Sequence, residues 1–412
     1  MDLLHRSCVG MDVHKDSVVA SVRRIDGSGV LHEEVRTFGT MTSDLLTLMD
    51  WLGSMGVTIG AMEATGVYWK PLWNLLEGQL ELILVNPRDV KQVPGRKTDV
   101  KDCQWIAQLL SVGLLKASFV PPRPQRELRD LTRTRMSLLQ DAARVANRLQ
   151  KVLEDANIKL GSVASDVLGV SGRLMLQALI EGRQTPDQMA ELAKRRLREK
   201  IPQLRKALQG QMNDHHRYML GLYLDQLQHL EGLIEQMDER IEAVMSPLMK
   251  AAVERLDEIP GIDPRAAQNI LAEIGLDMTR FATSGHLASW AGICPGNNQS
   301  AGKRRSGRMM RGNRWLKATL NQCAWAATRK KHSYFRAQHR RIASRRGVKR
   351  ATMAVGHTLL NTCWQLLRYE LLYQDLGEDY FARLDENRTR TRLIRQLERL
   401  GYQVSVEKRP AA

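Results

Sequence analysis

Ser7-Cys8-Val9-Gly10-Met11-Asp12 is a run of small and apolar residues that stays uncharged until it closes on an acid. It reads as a buried strand ending in Asp12. Outward from it, residues 17–24 alternate apolar and polar as a second strand does, and residues 30–38 form a third. Helical periodicity over residues 45–52 then gives way to residues 57–63, another short apolar run, which closes on Glu63 before Ala64-Thr65-Gly66. A helix over residues 67–76 and a strand over 80–85 continue the alternation. Three strands in succession, followed by helix and strand in turn, predict an α/β fold built on a mixed sheet.

Beyond the last strand comes Arg96-Lys97-Thr98-Asp99-Val100-Lys101-Asp102, where a Gly/Pro-containing loop meets an apolar-periodic run (Trp105, Ile106, Leu109, Leu110). On a helix, positions i and i+3 share a face, so Asp99 and Asp102 would point at a common centre. Two hard oxygen ligands in a first turn suit Mg²⁺. The plain alternative is that first-turn acids simply complement the helix dipole. Acids that close apolar strands are costly to desolvate unless they bind something. Asp12, Glu63, Asp99 and Asp102 together therefore make the physical case for a two-metal phosphoryl-transfer site.

The charge is unevenly spread. The 412-residue chain has 62 Lys+Arg against 45 Asp+Glu, a net charge of +17, and residues 301–350 hold 17 Lys/Arg with no acid at all. Elsewhere the chain is balanced, so this window is an electrostatic footprint for a polyanion. Its Trp315, Trp325, Tyr334 and Phe335 mark it as folded. A hydrophobic content of 43% argues against disorder, and the length allows two or three domains. The five cysteines are odd in number, scattered and free of any C-x-x-C pair, which argues against structural zinc and a disulfide framework. Met-Asp-Leu-Leu-His-Arg is no signal peptide and no apolar run approaches a membrane span, so a cytoplasmic protein without a membrane partner is expected.

Pro121-Pro122-Arg123-Pro124 marks a domain boundary. Residues 125–155 then form a long helix with one apolar face. Its other face carries Arg126, Arg129, Arg133, Arg135, Arg144 and Arg148, to be read as solvated or as touching a nucleic-acid backbone. Leu220, Tyr223, Leu227, Leu230, Ile234, Met237, Ile241, Val244 and Leu248 keep an a/d spacing, a coiled-coil signal whose partner the pattern does not specify. Glu258-Ile259-Pro260-Gly261-Ile262-Asp263 reads as a helix-hairpin-helix-like turn, either offering N–H groups to a phosphate or simply joining packed helices.

A second informative stretch is Ala291-Gly292-Ile293-Cys294-Pro295-Gly296-Asn297-Asn298-Gln299-Ser300-Ala301-Gly302-Lys303-Arg304-Arg305. A serine in a polar, Gly-flanked loop beside three cations is accessible, and a phosphate there would be neutralised. Serine needs activation to act as a nucleophile, so the bare pattern reads as a phosphate-contacting loop. Lone histidines are more often structural than catalytic, and His332 and His357 are read that way. His14, two residues from Asp12, is the one to test.

Gly10-Met11-Asp12-Val13-His14-Lys15, Met62-Glu63-Ala64-Thr65-Gly66 and Lys97-Thr98-Asp99-Val100-Lys101-Asp102 resemble the DEDD motifs of the transposases of insertion sequence family 110. Cys103 stands where the family pattern has Ala. The run from Trp290 through Gly312-Asn313-Arg314 is similar to the C-terminal transposase domain of that family, in which a loop serine attacks DNA; Ser300 is the match and Ser306 its competitor. The resemblance implies a RuvC-like, ribonuclease-H-type domain over residues 1–120, with Mg²⁺ held by Asp12, Glu63, Asp99 and Asp102. A helical, coiled-coil region over 125–255 follows, then a mostly helical C-terminal domain over 256–372 and a tail over 373–412. Gly261, Lys303, Arg304, Arg305, Arg308, Arg311 and Arg314 are expected to contact nucleic acid. The resemblance also implies dimers or tetramers, a structured noncoding guide RNA, and element-end and target DNA. The acids and Ser300 lie more than 190 residues apart in the chain.

The reading is therefore a DNA transposase or recombinase working through a covalent phosphoserine. Two other classes stay open. A hydrolytic nuclease such as a junction resolvase would keep cutting after Ser300→Ala. A non-catalytic nucleic-acid scaffold would bind with no dependence on Mg²⁺.

Overall fold

Strands β1 (Ser7–Val13), β2 (Ser17–Ile25), β3 (Leu31–Gly39), β4 (Ile59–Glu63) and β5 (Glu81–Val85) form one sheet in the order β3-β2-β1-β4-β5. The first three run antiparallel in sequence, while β4 and β5 lie parallel to β1. This is the mixed sheet of an α/β fold that the alternation of strands and helices predicts. The computed structural model describes residues 4–64, 66–93, 101–296, 298–300, 302–306, 309, 312–384 and 386–406. By contact clustering the chain separates into two compact units, Met1–Pro121 and Pro122–Ala412.

In the first unit, strand alternation sends side chains to two different cores. Val9, Met11 and Val13 of β1, with Val18, Ala20 and Val22 of β2, pack under α1 (Thr42–Ser54) and α2 (Trp69–Leu76). Cys8, Ile59, Ala61 and Val85 face the other way. They pack with Val90 of α3 (Pro87–Gln92) and with Trp105, Ile106, Leu109 and Leu110 of α4 (Asp102–Ser111). Strand β3 lies at the sheet edge, mostly exposed and rich in charge, which discourages further strand pairing.

Among its described residues, the second unit has helices and one small hairpin as its regular elements. Helix α5 (Arg123–Asp155) is followed by α6 (Leu160–Val163), α7 (Val170–Glu181), α8 (Pro186–Glu191) and α9 (Ile201–Ala207). The long α10 (Asp214–Val244) comes next. Then come α11 (Pro247–Asp257), α12 (Pro264–Ile274), α13 (Ser284–Trp290), strands β6 (Asn298–Ser300) and β7 (Lys303–Ser306), α14 (Arg314–Ala327), α15 (Tyr334–Arg346), α16 (Val348–Tyr369), α17 (Tyr380–Leu384) and α18 (Glu386–Arg399).

The a/d stripe of α10 finds its partner within the chain. Val145 packs against Leu227 and Leu230, Arg135 bonds Asp238 at 2.7 Å, and His216 meets Asp155 at 3.0 Å. Rising positions on α5 thus meet falling positions on α10, so the two helices run antiparallel. Leu220, Leu227, Leu230, Ile234 and Ile241 are buried, while Val244 and Leu248, at the end of the pattern, are exposed. At the far end of this pair, α6–α9 close a small core around Leu160, Met175, Leu176, Ala190 and Leu204.

Three of the arginines read as solvated or nucleic-acid-facing are bound to partners within the chain, Arg133 remaining 32% exposed. Arg135 is 1% exposed and donates to Asp238, Gln268, Asn269 and the Arg265 carbonyl. Arg129 and Arg133 bind Glu273 at the end of α12. Buried cations need such partners, and these partners lie more than 100 residues away in the chain.

Candidate active site: an acidic strand end and a serine hairpin

Helix α4 reaches the sheet through a glycine. A Cβ on Gly10 would stand 2.2 Å from the Cys103 carbonyl oxygen and 2.4 Å from the Ala107 nitrogen, so only glycine lets the helix backbone lie this close. Cys8 reinforces the contact, its thiol 3.5 Å from the Ala107 carbonyl. Cys8, Gly10 and Asp12 share one face of β1, and Ile59, Ala61 and Glu63 share the same face of β4, by strand alternation. The parallel register pairs Gly10 with Ala61 and Met11 with Met62, so Asp12 and Glu63 are the next matched positions. Both acids therefore sit at the same end of neighbouring strands, on the side covered by α4, whose first residue is Asp102.

The environment of Asp12 is partly open, its side chain 18% exposed, and His14 Nε2 lies 3.1 Å from Asp12 Oδ2. Burial pushes the Cys103 thiol up, and the Asp12 carboxylate adds to the effect. Glu63 and Asp102 both interact with neighbours. Asp99 lies outside the described residues. Lys101 is the extended N-cap at φ −61° and ψ 149°, so α4 begins at Asp102. The cap forms because Gln104 Oε1 turns back to accept the Lys101 backbone N–H at 3.3 Å. Among the described residues, no three His, Cys, Asp or Glu side chains come together as a metal-binding group. In donor chemistry the carboxylates fit a hard divalent cation.

In the second unit, the stretch read as a loop contains a tight antiparallel hairpin. Ser300, the last residue of β6, pairs with Lys303, the first of β7, and Gly302 at the turn takes a φ of +73°. A register irregularity follows Asn298, which pairs with Ser306. Lys303 and Arg314 are exposed, the latter opening α14. Arg304 and Arg305 belong to β7, while Arg308 and Arg311 lie outside the described residues. Gly261 has φ +89° and faces α14, where a Cβ would meet the Ala327 nitrogen and Cys323 oxygen at 2.4 Å. Close helix packing is thus one reason for a glycine at this position.

Residues 9–158 match a transposase family model named for DEDD and IS110, and residues 253–340 match one described as Transposase IS116/IS110/IS902 family. The chain belongs to this transposase family. A Sinorhizobium fredii (strain NBRC 101917 / NGR234) protein, y4qE, provisionally described as a transposase, is 26% identical over 251 residues, 60% of this chain and 52% of that protein. The chain thus spans about half the length of the curated relative it matches. A solved structure of Thermus thermophilus RuvC aligns with 27% of this chain and 99% of its own, at 14% identity and a TM-score of 0.20.

Within this family member, His14 and Glu273 are where sequence reasoning was thinnest. His14 carried a signal in its spacing from Asp12. Glu273 carried none, since a lone Glu near a helix end says nothing of the arginines that reach it. No helix among the described residues is long and apolar enough to cross a membrane.

Proposed function

We propose that this chain is a DNA transposase of a mobile element that cuts and rejoins DNA through a serine-linked intermediate. The observation that carries the reading is the matched placement of Asp12 and Glu63 at one end of parallel strands, beneath the helix that Asp102 opens. Asp12, Glu63, Asp99 and Asp102 are the residues that would hold Mg²⁺. When bound, the cation offsets charge on the scissile phosphate and favours deprotonation of the nucleophile. The Ser300 hydroxyl loses its proton, its oxygen bonds to phosphorus, and the P–O3′ bond breaks. The departing 3′ oxygen takes up a proton as a 3′-hydroxyl. Lys303, Arg304 and Arg305 neutralise the phosphate, while Arg308, Arg311, Arg314 and Gly261 add backbone contacts.

The family resemblance supports a structured noncoding RNA that pairs with donor and target DNA, and assembly into dimers or tetramers. The basic window over 301–350 suits either polyanion. Within the chain, α5 covers the α10 stripe over Leu220–Ile241, so assembly would draw on other surfaces.

The test incubates wild type, Asp102→Ala and Ser300→Ala with Mg²⁺, a plasmid carrying the element's ends and transcripts of its flanking noncoding region. DNA attached to protein is then sought after denaturation. An adduct in wild type that vanishes in both variants is the expected result. Cutting without an adduct, surviving in Ser300→Ala, would replace the reading with a hydrolytic nuclease.

A further inference from the structure

The segment carrying Ser300 leaves and rejoins the helical body at two glycines set back to back. A Cβ on Gly292, whose φ is +69°, would stand 2.8 Å from Gly312 Cα, and one on Gly312 would stand 2.4 Å from the Ala291 oxygen. The arm is thus pinched at its base, and the next residue decides how that base is held.

Asn313 has two attachments. Its Oδ1 accepts the Trp315 and Leu316 N–H groups at 3.0 and 3.1 Å, capping α14. Its Nδ2 donates to Glu273 Oε2 at 2.6 Å. Glu273 is 2% exposed, and its carboxylate takes Arg133 Nε and Nη2 at 2.7 and 2.8 Å. Arg129 Nε stands 3.4 Å from the same carboxylate and 2.9 Å from the Ala272 carbonyl, which it donates to. Burial pushes the Arg129 guanidinium down to about 10, with Glu273 opposing the shift. Capping α14 requires only the Asn313 oxygen, and two arginines already compensate the Glu273 charge. The third bond, from Asn313 to Glu273, therefore does something else. It ties the exit of the serine arm to a charge-assisted clasp between α5 and α12.

We propose that Glu273 and Asn313 are positioning residues for the reaction. Glu273, fixed by Arg133 and Arg129, fixes Asn313, and Asn313 sets the direction in which the arm bearing Ser300 leaves the helical body. The inference rests on the reading of Ser300 as nucleophile. A misplacement of about 1 Å at a reacting group costs roughly 10²-fold in rate, so a loosened base would be felt at the serine.

The test compares wild type with Asn313→Asp, Glu273→Gln and the double variant, all in the full chain. Asn313→Asp keeps the shape and the helix cap but turns the Nδ2 donor into a carboxylate facing Glu273. In the double variant the amide introduced at 273 donates to the carboxylate introduced at 313, restoring that bond with reversed polarity while giving up the Arg133 Nη2 bond to the same position. Backbone hydrogen exchange over residues 293–312 is read against α12 and α16, together with the rate of adduct formation. Asn313→Asp should raise exchange in the arm about tenfold while α12 and α16 stay protected, and slow adduct formation by roughly 10²-fold. The double variant should recover part of both and exceed either single variant. Unchanged exchange in the arm, exchange raised throughout the unit, or a double variant no better than the singles would each overturn the proposal. If Asn313→Asp does not fold, Asn313→Ser takes its place, since it retains a cap and loses the donor. Wild type that cuts without an adduct, with arm exchange still responding to the variants, would overturn the serine reading and leave the clasp standing.

Discussion

Gly10 of β1 lies directly against the backbone of α4, so close that its missing side chain would stand 2.2 Å from the Cys103 carbonyl oxygen. That contact sets the height of the helix over the strand that ends in Asp12. Gly10→Ala must push α4 outward, because both facing atoms are backbone and cannot rotate away. We expect a loss of about 2–3 kcal/mol in urea unfolding. DNA cutting should fall further than the lost stability explains. A variant as stable and active as wild type would mean that α4 does not need this approach.

Asp12 and His14 should separate cleanly in a Mg²⁺ titration. Asp12→Asn removes a proposed ligand and should leave cutting below about 10⁻² of wild type at any Mg²⁺ concentration. His14 touches Asp12 Oδ2 at 3.1 Å without standing among the four acids. His14→Ala should therefore shift half-saturation by Mg²⁺ about tenfold upward and leave the plateau rate close to wild type. Equal losses in both variants at saturating Mg²⁺ would place His14 in the chemistry itself.

Arg135→Ala should act on stability and not on nucleic-acid affinity. Removing this guanidinium strands Asp238, Gln268 and Asn269, and the expected cost is about 3–5 kcal/mol by denaturant unfolding. The slope of log affinity against log salt, measured on folded protein, should not change. A slope reduced by one phosphate contact would return Arg135 to the nucleic-acid surface.

Acid sensitivity should trace in part to His357 on α16. Burial holds its imidazole below the ordinary value of 6.5, so the unfolded chain binds this proton more readily than the folded one. The associated stability is intact above about 6.5 and declines as pH falls from there through the lower folded value. The urea midpoint of wild type should drop more between pH 7.5 and pH 5 than that of His357→Asn. Equal drops would remove His357 from the account. His339 is shifted the same way, also by burial, and leaves some sensitivity in the variant.

Much of the first unit was legible because its strands carry their own pattern. β1, β2, β4 and β5 read as apolar or alternating runs, and the acids that close β1 and β4 stood out against them. Their matched register did not, because pairing is settled between strands far apart in sequence. At the start of α4 the acid stood out but the cap did not: Gln104 turns back on Lys101, one residue before Asp102. On α5 the pattern showed which positions were apolar but not what the arginines met. Arg133 reads like any surface cation until Glu273, 140 residues on, is folded against it. The a/d stripe of α10 announced a helical partner without saying which, since α5 of the same chain and a helix of another subunit satisfy it equally.

The antiparallel pair of α5 and α10 has a further consequence. A helix of the 31 residues of α10 is about 46 Å long at 1.5 Å per residue. With one phosphate charge per roughly 1.7 Å of duplex axis, that length equals about 13 base pairs. The small core of α6–α9 stands at one end of this rod and the Glu273 clasp near the other. The second unit therefore carries a rod of fixed length, a little over one turn of a double helix from end to end.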